Sequence, residues 1–542
     1  MDNPITRRTL MKSTFLATGV LGGDVFSQIP AEHGRSDTPE HPNILLICAD
    51  MAAAKNFGCY GDPANVTPHI DKLAQSGVRF EQAYCATTPC IPARASMMTG
   101  LYAHTHGKTS HIQMPLNPRP PLLPEIMSRN GYRTAIVGKT HWWPSADKLG
   151  ADEVYLTIDT HLIPELGRND AWLQYLTKRN IIEGYDPSRW RQIRRKLDVN
   201  TLPPDCLKVN WTGDQTCSVI EKFASDDKPF FLHCSFVEPH GSKNAPRSRI
   251  NQLKDRPMRP VIQRPDEASN KPEIQRHLKA SVPNVDDYRR GVYAALNMVD
   301  ENVGKIVNKL ESLNLRRKTY IIFITDHGDL MGDHGLFEKT FLYDSAVKIP
   351  FIVSGPGIPD NQTRPHLVSQ VDLLPTILGL SNIKEQHLRL EGCDVSPILQ
   401  NQQQPWRTTL FCESDPTVHL KRPWMSQSKM LRTGNWKYIY TLVGGHHLEE
   451  ELYNLDKDPD ELFNLAHDDE QKDRVVKFRT EILRWLTATE PSRLHPAPEN
   501  HYRFAAIEKN SFSKKLFGAC LVAPVKSEFN SSVQLSRQTI KI

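Results

Sequence analysis

The chain has 542 residues, with 67 Lys and Arg against 62 Asp and Glu and a formal charge of +5. That length excludes a small stapled scaffold, and 39% hydrophobic with 24% charged residues excludes a disordered or fibrous chain. The ten cysteines show no CxxC pair and no zinc-type Cys/His spacing, and no run approaches the ~20 apolar residues of a membrane span.

The N-terminus reads Thr6-Arg7-Arg8-Thr9-Leu10-Met11-Lys12, then a small-residue run from Ser13 to Gly23. An arginine pair before such a run resembles a bacterial twin-arginine signal, whose pathway exports folded proteins. Residues 1–34 are therefore expected to be signal and linker, the twin-arginine translocase a partner, and the protein periplasmic or extracellular in a bacterium. The other reading is a basic, unstructured N-terminus.

From about residue 40 apolar runs alternate with loops and amphipathic stretches, the grammar of an α/β fold. Asn43 to Ala49 reads as a fully buried strand ending at Asp50, and Thr67-Pro68 as a helix start with Ile70, Leu73 and Ala74 on one face. Further strands are expected at Thr134 to Val137, Pro229 to Phe236, Tyr320 to Thr325 and Pro350 to Val353. Apolar residues at three- and four-residue steps predict a long helix from about Tyr288 to Leu313, and another spans Val371 to Leu380.

Asp50, Lys139 and His141, Glu238 and His240, and Asp326 and His327 all stand just beyond strand ends. In an open parallel sheet that edge binds ligands, so the four groups predict one composite site. After residue 385 shorter strands (Thr409 to Cys412, Trp436 to Thr441) and a helix near Lys472 to Leu486 suggest a smaller α+β lobe over 385–500. Residues 501–542 form a basic extension without periodicity.

The segment Cys90-Ile91-Pro92-Ala93-Arg94 resembles the C-x-P-x-R motif of the sulfatase family, in the alkaline phosphatase superfamily, although Ala93 stands where serine is commoner. Its surroundings agree: PNILLICAD and GCYG before it, Gly138-Lys139-Thr140-His141, Ser235 to His240, Thr325-Asp326-His327-Gly328-Asp329, and RTGNWKYIY toward the end. The resemblance covers about residues 41–490 and implies a large, mixed, mostly parallel sheet flanked by helices over 35–384. It implies a sulfuric ester hydrolase in which a formylglycine-generating enzyme oxidises Cys90 to formylglycine.

Sulfate ester hydrolysis asks for a nucleophile, cations on the sulfate oxygens and an acid for the leaving alcohol. The hydrated aldehyde supplies a geminal diol: one hydroxyl attacks sulfur and the other expels sulfate. The resemblance assigns a divalent ion to Asp50, Cys90, Asp326 and His327. It gives Arg94 the orientation of residue 90, Lys139 and Lys339 the sulfate oxygens, His240 the leaving oxygen and His141 the second hydroxyl. Oxygen ligands suit Ca2+. Met51, where many members carry a second acid, leaves one carboxylate fewer and makes Mn2+ the second choice. Outside this context Cys90 would read as a core thiol, Asp50 as a helix N-cap, and His141 or His240 as a packed or loop histidine. His104 and His106 are either substrate contacts or exposed loop residues.

Residues 241–280 hold ten Lys and Arg against four Asp and Glu, and residues 501–542 seven against two, so the remaining body is slightly acidic. A basic loop beginning at His240 suggests steering of a sulfated carbohydrate, with a solvated surface loop as the alternative. The rival functions are a phosphonate or phosphate diester hydrolase on the same scaffold and a catalytically silent anion-binding relative. Nucleic acid is not an expected partner.

Overall fold

Apolar runs buried on both faces build one large sheet in the computed structural model. It describes residues 41–490, apart from residues 65, 111–119, 142–148, 158–169, 184–196, 242–243, 268–270, 272–283, 340, 386, 416–426 and 444–446. The twin-arginine-like segment and the 501–542 extension lie outside the described residues. The strands of the sheet are β1 (Asn43–Ala49), β2 (Val78–Tyr84), β3 (Arg133–Gly138), β4 (Glu153–Leu156), β5 (Phe230–Ser235), β6 (Thr319–Thr325), β7 (Phe351–Ser354) and β8 (Gln362–Ser369). Their spatial order is β4-β3-β5-β1-β6-β7-β2-β8. Only β7 runs against its neighbours, so the sheet is mixed and mostly parallel, as expected.

Central β1 pairs with β5 and β6 in parallel, Ile47 lying beside Cys234 and Phe323, which brings the C-terminal ends of all three strands to one edge. Alternate residues of β1 enter different cores. Ile44, Leu46 and Cys48 pack with Met97, Met98, Leu374 and Ile377, while Leu45 and Ile47 pack with Val292, Leu296, Val299 and Val303. Helices cover both faces, which is why the strands are continuously apolar. The helices that matter below are α1 (Pro68–Gln75), α2 (Cys90–Thr99), α3 (Lys208–Phe223), α4 (Val285–Ser312), α5 (Leu373–Leu380) and α6 (Lys472–Thr489). Among the described residues no helix is long and apolar enough to cross a membrane.

The C-terminal lobe is an antiparallel meander of β9 (Thr409–Ser414), β10 (Gln427–Thr433), β11 (Trp436–Val443) and β12 (His447–Asn454). Leu431, Tyr438 and Leu452 on its inner face meet Val475, Phe478, Ile482 and Trp485 of α6. β9 also touches the large sheet's side of the molecule: Glu413 bridges to Thr87 in the segment that leads from β2 into α2.

Candidate functional site

The edge where β1, β3, β5 and β6 end collects the residues singled out from the sequence. Asp50 follows β1 and its amide donates to Glu238 O, 3.2 Å away, beyond β5; Asp326 follows β6 and its amide donates to Ala49 O at 3.4 Å. Lys139 follows β3 and donates its amide to Ser235 O at 2.8 Å. Gly138 makes that turn possible. Its φ is +98°, and a Cβ there would lie 1.9 Å from Ser235 O, inside the backbone of β5. Three non-glycine residues at the site share the left-handed conformation, Met51 (φ 62°), His141 (φ 56°) and Glu338 (φ 64°). Such strain concentrates where a chain is held for chemistry.

Cys90 is the first residue of α2 and is 1% exposed. Its sulfur lies 3.1 Å from His327 Nε2, 3.3 Å from Lys339 Nζ and 3.8 Å from Asp50 Oδ1. One turn on, Arg94 acts as a buried cross-brace. Its Nε donates to Asp326 Oδ2 at 2.9 Å, Nη2 to Asp50 Oδ2 at 2.8 Å, and Nη1 to Ser235 Oγ at 2.6 Å and Lys139 O at 3.0 Å. Lys139 Nζ reaches the same Asp50 Oδ2 at 2.7 Å. Lys339 Nζ donates to His240 Nε2 at 3.0 Å and stands 3.5 Å from Met51 Sδ.

Charge follows geometry. Burial alone would raise the Asp50 carboxyl, but Lys139, His240 and Arg94 hold it well below the usual carboxylate range. Burial opposes charge on Lys339, yet Cys90 and Asp50 keep it cationic above the ordinary lysine range. Burial pushes His327 down and so favours its neutral ring. Its Nδ1 lies 2.9 Å from Gly328 O, which can only accept, so that nitrogen carries the proton and the Nε2 lone pair faces Cys90.

Asp50, Cys90, Asp326 and His327 are all buried, and each offers an atom within 4.8 Å of the others. Both carboxylates have Oδ2 bound to Arg94; Asp50 Oδ1 lies 3.8 Å from Cys90 Sγ, and Asp326 Oδ1, which accepts the Met51 and His327 amides, lies 3.8 Å from His327 Nε2. Tied-back acids with a lone-pair imidazole form a donor set that fits a divalent cation, and the mixed oxygen and nitrogen donors admit Ca2+ or Mn2+.

Of the sequence-derived residues, Asp50, Cys90, Arg94, Lys139, His240, Asp326, His327 and Lys339 come together. His141 stands two residues past Lys139, in the left-handed conformation. His106 is neither exposed nor poised for substrate: Ser96 Oγ lies 3.1 Å from its Nε2, and its Nδ1 accepts the Lys108 amide. His104 is likewise engaged, with Glu413 Oε1 at 3.0 Å and Thr489 Oγ1 at 2.7 Å. Ser235, read in the sequence only as the start of a motif at the end of an apolar run, anchors Arg94. A second supporting residue escapes sequence reading. Gln370 Nε2 donates to Asp326 O at 2.9 Å from a turn after β8, a strand too polar on one face to be recognised.

Among the described residues, five bases of the segment after His240 have acid partners. Arg249 pairs with Glu301, Lys254 with Asp255, Arg259 with Asp333, Arg264 with Asp266 and Lys271 with Glu267, each within 4.0 Å. Buried Lys271 also donates to Tyr453 Oη at 2.8 Å, fastening the segment to β12.

An α/β sheet whose strand ends bring two buried carboxylates, a forked arginine, two lysines and two histidines to one cysteine defines a hydrolase for an anionic ester. The sulfatase family model matches residues 42–383, and the model for the C-terminal region of N-sulphoglucosamine sulphohydrolase matches residues 332–487. The chain belongs to the sulfatase family and is a sulfuric ester hydrolase. It is 26% identical to an arylsulfatase of Clostridium perfringens over 477 residues, which is 83% of this chain and 95% of the relative. A phosphonate monoester hydrolase of Agrobacterium radiobacter superimposes with a TM-score of 0.70 at 24% identity, covering 83% of this chain and 96% of that one. A structure in complex with its substrate D-glucosamine-2-N,6-O-disulfate gives 0.68 at 18% identity, covering 84% and 99%. These two structural likenesses speak to the fold.

Proposed function

We propose that the chain hydrolyses the sulfate ester of a sulfated carbohydrate, with Cys90 converted to formylglycine as the reacting residue and a divalent cation, Ca2+ or else Mn2+, held by Asp50, Cys90, Asp326 and His327. The observation that carries this reading is the surroundings of the Cys90 sulfur: a lysine ammonium, an imidazole lone pair and a carboxylate within 3.8 Å of a thiol that is 1% exposed. That sulfur stands where the hydrated aldehyde's oxygens would be. The hydrate supplies a nucleophilic hydroxyl, and the cation supplies positive charge beside the sulfate.

The remaining work falls to the chain's own groups. Arg94 fixes both acids and, through Ser235 and the Lys139 carbonyl, the ends of β5 and β3 around them. Lys339 and Lys139, both buried, neutralise sulfate oxygens where each charge acts strongly. His240 is the most exposed group of the cluster, its side chain 33% accessible against 0% for Asp50, so the leaving alcohol departs past it. His240, with Lys339 Nζ 3.0 Å from its Nε2, is the group assigned to give a proton to the leaving oxygen. His141 is assigned the second hydroxyl of the hydrate.

Mass spectrometry of the peptide spanning Cys90, after co-expression with a formylglycine-generating enzyme, tests the reading. An unmodified cysteine in all material would refute it. Met51 in place of an acid and His327 as a nitrogen donor favour a second reading, a phosphonate or phosphate diester hydrolase. Parallel turnover of a sulfate monoester and a phosphodiester separates the two. Export by the twin-arginine route is part of the proposal, since a folded-protein pathway lets Cys90 be oxidised before transport.

A further inference from the structure

The segment between β2 and α2 runs alongside β9. Ala86 O accepts the Glu413 amide at 3.0 Å, and Thr88 donates its amide to Glu413 O at 3.2 Å and its hydroxyl to Ser414 Oγ at 2.9 Å. This short parallel contact joins the eight-stranded and four-stranded sheets. At its start the thiols of Cys85 and Cys412 face each other, Sγ to Sγ 3.9 Å, both fully buried. Among the described residues neither sulfur has a side-chain hydrogen-bond partner except the other.

We propose that Cys85 and Cys412 are a disulfide-forming pair, a modification site that staples the lead-in to Cys90 onto the C-terminal sheet. A disulfide has S–S of about 2.05 Å and Cα atoms about 4.4–6.8 Å apart. With the sulfurs already 3.9 Å apart, they need to close by about 2 Å through movement of the two side chains. The reaction is thiol–disulfide exchange. The two thiols lose two protons and two electrons to an external disulfide, such as oxidised glutathione or the active-site disulfide of a thiol oxidoreductase, which leaves as two thiols.

Access sets the timing. Burial raises the Cys85 thiol well above its ordinary range and excludes an oxidant from the closed state. Exchange therefore takes place while β9 is transiently lifted, in the oxidising compartment reached after export. The cross-link would close a span of 327 residues, and the entropy removed from the unfolded chain grows with that length.

The test uses the full chain, refolded from denaturant across a series of reduced-to-oxidised glutathione ratios, alkylated, digested without reduction and mapped by mass spectrometry. The expected result is a linked peptide pair containing Cys85 and Cys412, and a Tm several degrees above that of the same sample after reduction. Cys85→Ala and Cys412→Ala should each lose both the link and the shift. Natively refolded wild-type protein with both thiols alkylated at every ratio overturns the proposal, as does cross-linking of either to a different cysteine. The wild-type map decides the matter even where a variant fails to fold.

Discussion

Replacing Arg94 with lysine keeps the buried positive charge and removes the fork. The wild-type guanidinium donates to Asp326, Asp50, Ser235 and the Lys139 carbonyl at 2.6–3.0 Å. A single ammonium reaches one carboxylate at a time, leaving at least two hydrogen bonds of the charged donor unmade. At about 1.5–3 kcal/mol each, the loss is about 3–6 kcal/mol. An unfolding entropy of about 2.1 cal/mol/K per residue over roughly 450 residues makes about 1 kcal/mol equivalent to about 1 °C, so Tm falls by about 3–6 °C. A shift of that size leaves the protein folded at assay temperature. Turnover suffers more, by at least tenfold in kcat, because Asp50 and Asp326 lose the group that fixes both. Thermal unfolding of wild type, Arg94→Lys and Arg94→Ala, run beside turnover of an aryl sulfate, measures both effects. Wild-type Tm and kcat in Arg94→Lys would refute the cross-brace.

Cys90→Ala should abolish turnover while leaving circular dichroism and Tm close to wild type, since a small buried thiol is exchanged for a methyl group. His240→Ala should slow sulfated sugars by about 10²–10⁴-fold and a nitrophenyl sulfate far less, because only the poor leaving group needs its proton; equal losses on both substrates would remove His240 from that role. Asp329 Oδ1 accepts the amides of Met331 and Glu338 and Oδ2 accepts Tyr288 Oη at 2.7 Å, so it closes the loop that delivers Lys339. Asp329→Ala should raise KM and lower kcat together, Tyr288→Phe should show a weaker form of the same change, and a pure stability loss in both would show the loop is held otherwise. Burial pushes His106 down to about 3, so its neutral form stabilises the fold fully above pH 6.5 and this contribution is lost as pH falls toward 3. Between pH 7 and pH 5 that amounts to about 2 kcal/mol, a slope that denaturant titrations should find reduced in His106→Gln.

The central strands were legible because they are buried on both faces and carry unbroken apolar runs. The run predicted from Asn43 to Ala49 is β1 residue for residue, and the Tyr320 to Thr325 run is β6 with Thr319 added. β2 was not read as a strand, because its alternating VRFEQAY mixes buried and exposed positions, and neither was polar β8. The reversed direction of β7 depends on tertiary pairing with β6 and β2, which no local pattern encodes. Acids and bases at strand ends were visible as a group because parallel strands must put those ends on one edge. What could not be seen was their pairing: that Arg94 spans both acids, that Gln370 holds the Asp326 carbonyl, and that five of the bases after His240 have acid partners.

The C-terminal sheet belongs in any account of Cys90, because one residue of β9 grips both flanks of α2. The Glu413 backbone binds Ala86 and Thr88 just before the helix. Its side chain accepts from the His104 amide at 3.0 Å just after the helix, with His104 Nδ1 also at 3.0 Å and Lys429 Nζ at 2.5 Å. Burial would raise this carboxyl, but Lys429 and His104 hold it far below the usual range, so it stays charged and keeps all three partners. Arg94 braces α2 from the large sheet, and Glu413 braces it from the small one. The nucleophile position is thus fixed from two sheets at once, and a change in β9 reaches the reacting residue through the short segment from Cys85 to Pro89.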